Sequence, residues 1–172
     1  VEQFVHVATG VDHHEPARLA DHAVHPLEHG PDEPVTDLTL LDAIVWCNAL
    51  SQQEGRAPCY YEDPEFKTVF RYIRQSPVYT KPRELPTIHV KWDADGYRLP
   101  TPAEWAAAWR AGGGKVEAQD PQSTRAVGSG PADAAGLHEM LGNVWELVWP
   151  YGDTLDAAKY DSITVLGGSF LP

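Results

Sequence analysis

A loop-rich fold that combines two helices with short strands is predicted by three features of this sequence. Two segments carry complete helix start and stop signals, and several short β-branched or alternating runs end in Gly or Asp-Gly. Six Trp, seven Tyr and four Phe accompany 14 Gly and 15 Pro, a balance that favours loops held by aromatic packing over a helical bundle. With 172 residues, 42% of them hydrophobic, the chain is long enough for one domain, residues 1–172, burying roughly two thirds of its unfolded surface.

Taken in order, "VEQFVHVATG" places Val1, Phe4, Val5 and Ala8 at helical spacing and closes with Gly10, which predicts a short amphipathic helix. Residues 11–34, rich in acid and His and broken by Pro, read as a long surface loop. It holds His13, His14, His22, His25 and His29 of the chain's eight histidines. Without a helix to set imidazoles on one face, a solvated loop is favoured over a metal site. "TLLDAIVWCNALSQQEG" is the clearest helix: Thr39 caps it, Asp42 completes a capping box, an apolar stripe includes Leu40, Ala43, Ile44, Cys47 and Leu50, and Gly55 stops it. "PCYYE" reads as a short strand and the following segment to Pro86 as irregular. "TIHVKWDADGYRLP" reads as a hairpin turning at Asp95-Gly96.

A second strong helix starts in "TPAEWAAAWRAGGG". Thr101 is its N-cap, Pro102 its first residue and Glu104 its capping-box partner, and Gly112 to Gly114 end it. Trp105 and Trp109 then share a face and pack in the core. Arg98, beside the cap, is expected in an ion pair or in backbone contacts. "GLHEMLGNVWELVW" mixes glycine turns with apolar residues, and "SITVLGGSF" is a strand ending in a glycine pair.

The formal charge of −12, from 25 acidic against 13 basic residues, repels phosphate backbones and argues against nucleic-acid binding. No run reaches the roughly 18 to 20 apolar residues of a membrane span. Because the chain begins at Val1, a leader is left open; an extracytoplasmic location is favoured. Cys47 and Cys59 could pair with each other or elsewhere, and Cys47, on the apolar stripe of a helix, is read as buried packing rather than a nucleophile.

Four segments, "PVTDLTLLDAIVWCNALS", "GYRLPTPAEWAAAWRAGG", "GLHEMLGNVWELVW" and "VLGGSF", in this order resemble the formylglycine-generating enzyme and sulfatase-modifying-factor family. The resemblance implies a C-type-lectin-like α+β fold with two main helices, short antiparallel strands and long loops. It also implies a structural calcium held by the side chains of Glu139 and Glu146 and the carbonyls of Gly142 and Val144. Oxygens gathered on glycine-permitted turns suit that hard cation. Relatives usually carry Asp or Asn where this chain has Glu139.

Family members that oxidise a sulfatase cysteine carry a copper-binding cysteine pair after Gly-Gly-Ser, soft ligands suited to Cu(I). Here Phe170, Leu171 and Pro172 follow Ser169, and Pro172 stands at the first cysteine position. No copper is therefore expected, and no catalytic residue is assigned. The resemblance gives Cys47 a structural role with a partner beyond the end of this chain, and leads to the expectation that the C-terminal strands are lacking. A second protein, such as a subunit completing that sheet, is the expected partner. A ligand or partner surface is placed near Ser169, Trp145 and Trp149. The expected function is a non-catalytic scaffold or protein-binding domain, an accessory subunit of a larger assembly. The alternative is a copper- or iron-dependent oxidase whose active-site residues lie outside this chain.

Overall fold

The computed structural model describes residues 33–35, 38–71, 86–114, 124–159 and 162–168. The helix expected over residues 1–10, nearly all of the His-rich loop of 11–34, Ser169 and Pro172 lie outside the described residues.

Helix α1, Leu40–Gln53, forms where its capping signals place it. Thr39 Oγ1 accepts the Asp42 N–H at 3.2 Å, while the Asp42 carboxylate accepts the Thr39 N–H at 3.0 Å. At the other end Gly55, at φ +71°, lets the Arg56 N–H reach Ser51 O at 2.8 Å and its own N–H reach Gln52 O at 3.1 Å, a Schellman stop. The buried face of α1 carries Leu40, Leu41, Ala43, Ile44 and Cys47. It packs on Tyr60, Phe70, Ile88, Val90, Leu99, Trp149 and Leu155, the larger of two apolar cores among the described residues. Asn48, 2% exposed, is one of two buried polar residues of α1, with Ser51: its amide donates to Tyr60 O (2.8 Å) and Phe70 O (3.1 Å) and its oxygen accepts the Tyr60 N–H (3.1 Å).

Strand β1, Tyr60–Tyr61, and β2, Thr87–Val90, pair antiparallel, and β2 pairs on its other edge with β4, Thr154–Asp156. The sheet order β1-β2-β4 corrects the expected hairpin. Both edges of β2 are taken by strands distant in sequence, which leaves no edge for the segment after Asp95-Gly96. Gly96 does not take positive φ, as an Asp-Gly hairpin turn requires. It is glycine because a Cβ there would lie 2.2 Å from Ala57 O and 2.6 Å from Ser51 Oγ.

Helix α2, Pro102–Ala111, repeats the capping box between Thr101 and Glu104. Arg98 completes it with a two-point ion pair to Glu104 (2.8 and 2.9 Å) and stacks over the Trp92 ring at 4.9 Å. The Arg98 guanidinium and the Thr101 bonds hold the Glu104 carboxyl at about 2, below its ordinary 4.5. A depressed carboxyl stabilises the fold fully above its unfolded value and loses that contribution as pH falls from about 4.5 to about 2. Glu104→Gln keeps a capping acceptor but loses the charge. It is expected to lower stability by about 1 kcal/mol at pH 7, with the gap to wild type closing as urea titrations are taken down through pH 4.5 to pH 2. A gap independent of pH would contradict this.

Trp105 and Trp109 of α2 stack with ring centroids 6.4 Å apart, beside Met140 and Val148 in the smaller core. That core is roofed by a two-stranded sheet of β3, Glu146–Val148, and β5, Thr164–Leu166, paired antiparallel with Leu147 opposite Val165. Among the described residues no helix is long and apolar enough to cross a membrane.

Candidate functional site

The segment from Glu139 to Glu146 and the Gly167-Gly168 pair, separate motifs in the sequence, meet beside the smaller core. β3 and β5 bring them together, and past the ladder the Gly142 N–H donates to Gly167 O at 2.8 Å. Gly167, at φ +93°, leaves only 3.1 Å between a Cβ position and Met140 O, so the contact needs glycine. The 139–146 turn is tightly wound: Glu139 (φ +51°), Gly142 (φ +95°) and Asn143 (φ +63°) all take left-handed backbone. Glu rarely adopts that region unless surrounding contacts enforce it.

Each polar side chain of the turn is buried and engaged. Glu139, 8% exposed, accepts the Gly128 N–H on Oε2 (3.0 Å) and the Gly130 N–H on Oε1 (3.1 Å). Asn143 grips Arg125 at two points, its Oδ1 accepting the Arg125 N–H at 2.8 Å and its Nδ2 donating to the Arg125 carbonyl at 3.1 Å. Glu146 accepts the indole N–H of Trp105, tying β3 to α2. Trp145, between the buried Asn143 and Glu146, is 54% exposed. Ile163, just before β5, is 49% exposed.

The expected calcium ligands therefore sit on one turn and offer only oxygens, the donor type that cation takes. A carboxylate has about four lone-pair sites, so the two N–H donors do not exhaust Glu139. Among the described residues no three His, Cys, Asp or Glu side chains converge, so a cation here would depend on the Gly142 and Val144 carbonyls as well.

Of the residues expected to face a ligand or partner, Ser169 lies outside the described residues, Trp145 is displayed, and Trp149 is not. Trp149 is 1% exposed in the larger core, its ring 5.3 Å from Tyr60 and 5.2 Å from Tyr151, its indole N–H given to Gly152 O. It packs and has no face for a partner. Cys47 and Cys59 are buried free thiols. Burial pushes Cys47 far up and Cys59 to about 11, so neither is a thiolate at neutral pH.

The sequence matches the sulfatase-modifying factor enzyme 1-like domain over residues 2–172. The chain belongs to that family. The crystal structure of CarF superposes with a TM-score of 0.59 at 27% identity, over 84% of this chain and 59% of that one. Variable protein 1 of Treponema denticola superposes with a TM-score of 0.59 at 24% identity, over 88% of this chain and 64% of that one. Together with the two helices and antiparallel strands, these likenesses establish the C-type-lectin-like α+β fold. "Chaperone protein LppX" of Paenibacillus barcinonensis is 28% identical over 71% of this chain and 53% of its own length. The chain thus spans between about half and two thirds of the proteins it matches.

Sequence reasoning missed the grip of Glu139 and Asn143 on residues 125–130, and the Trp105–Glu146 bond. The one available signal was the residue pattern itself, Gly-Asn in the turn and Gly-x-Gly at 128–130, which marks backbone close to other groups.

Proposed function

We propose that this domain is a non-catalytic scaffold that binds another protein, as an accessory subunit of a larger assembly, and that its contact surface includes Trp145. The observation that carries the reading is an indole more than half exposed on a turn whose Asn143 and Glu146 side chains are buried and hydrogen-bonded. A rigid aromatic displayed in this way gives much contact area for little ordering cost, the usual composition of a binding hot spot. The Paenibacillus relative, named a chaperone, and Pro172 at the position the resemblance gives to the first copper-binding cysteine support the same reading. A structural calcium at Glu139, Gly142, Val144 and Glu146 belongs to the proposal, as a cross-link of the turn that bears Trp145.

A photo-crosslinking amino acid at position 145, introduced in the source organism, would identify the bound protein, whose affinity is then measured with purified components. Trp145→Ala is expected to weaken that binding tenfold or more while leaving the melting temperature unchanged, because the ring is largely in water already. Equal affinity of variant and wild type would overturn the assignment. The second reading, a copper- or iron-dependent oxidase completed by residues outside this chain, is favoured by the family itself, which contains sulfatase-modifying enzymes. It requires stoichiometric copper or iron in the full-length protein.

A further inference from the structure

We propose that Glu139 acts as an internal anion seated in a backbone nest, a positioning residue that fixes the 124–130 loop through its two carboxylate oxygens, independently of any cation and of any partner. Three side chains from one short turn hold the backbone of this loop. Asn143 takes both main-chain polar groups of Arg125, Glu139 takes the N–H groups of Gly128 and Gly130, and His138 Nδ1 bonds Gly130 O at 3.0 Å. Gly128, at φ +70°, precedes Ser129-Gly130, and the turn closes with the Ser129 N–H on Ala126 O at 3.1 Å. Nearby N–H groups turned toward one ligand by such a loop, here those of Gly128 and Gly130 on either side of Ser129, form the concavity that otherwise binds phosphate or carboxylate ligands. Here the ligand is the protein's own side chain. It is carried by a non-glycine residue held at φ +51°, a conformation that persists only where contacts over-determine it. A Glu reaches this loop from the turn, and each of its two oxygens meets one N–H of the loop.

The test is amide hydrogen exchange on the whole domain. In wild type the Gly128 and Gly130 amides are expected to be protected, and treatment with EDTA leaves their protection relative to α1 unchanged. Glu139→Gln, equal in shape but with one acceptor replaced by a donor, is expected to speed exchange at both amides by roughly tenfold or more while α1 amides stay as they were. Glu139→Ala empties the nest, and formate, but not chloride, is expected to restore protection there. Should the alanine variant fail to fold, the glutamine variant carries the test alone. Amides as slow in Glu139→Gln as in wild type, or wild-type protection that disappears with EDTA, would overturn the proposal.

Discussion

Asn48→Ala is expected to cost about 3–5 kcal/mol of stability. Asn48 is fully engaged inside the larger core, where it joins helix α1 to β1 and to the chain at Phe70 by three hydrogen bonds. Each such bond contributes only about 1 kcal/mol net, but a buried donor left without a partner costs about 1–3 kcal/mol more. The Tyr60 N–H would be that donor. Water cannot replace the amide without entering a core lined by Ile44, Cys47, Tyr60 and Phe70. Asn48→Asp keeps the acceptor for Tyr60 N–H but sets a carboxylate against two carbonyl oxygens, and is expected to do no better than alanine at pH 7. Urea unfolding with unchanged m-value checks both variants. A loss under about 1 kcal/mol for Asn48→Ala would mean that the helix and β1 are held by apolar packing alone.

Trp149→Ala is expected to cost about 3–5 kcal/mol as well, for a different reason. Its indole fills the space between Tyr60 and Tyr151 and touches neither solvent nor any surface a partner could reach. Truncation removes that apolar surface from the core, leaves a cavity the surrounding rings cannot close, and strands the Gly152 carbonyl. The contrast with Trp145→Ala is the informative part. One variant is expected to lose stability and the other to lose binding, although the two tryptophans lie four residues apart in the same motif. A thermal scan separates them, and a Trp149→Ala protein as stable as wild type would contradict its place in the core.

That contrast also marks how far the sequence could be read. Both capping boxes were legible because Thr39 with Asp42 and Thr101 with Glu104 act within one helical turn, and local chemistry decides them. The hairpin at Asp95-Gly96 was misread because the partners of β2 come from far away in sequence, and because the glycine answers a close approach by Ala57 and Ser51 rather than a turn angle. Trp145 and Trp149 flank β3, and strand alternation alone would put both on the same side. Periodicity cannot tell them apart, and the flanking Tyr60 and Tyr151 decide which one is buried. Resemblance singled out Glu139 as a calcium ligand, while its hydrogen-bond partners, the amides nine and eleven residues earlier, follow from the fold of a glycine loop. No spacing rule announces such a contact.

The central claim is that this member of the sulfatase-modifying factor enzyme 1-like family binds a protein and does not oxidise one. The most direct measurement takes the full-length protein from its natural source, determines its bound metals, and incubates it aerobically, with and without added copper, with a cysteine-containing sulfatase peptide followed by mass spectrometry. The account predicts calcium without stoichiometric copper or iron, and a peptide whose cysteine is unchanged. Copper or iron bound one to one, together with conversion of that cysteine to formylglycine, would contradict it.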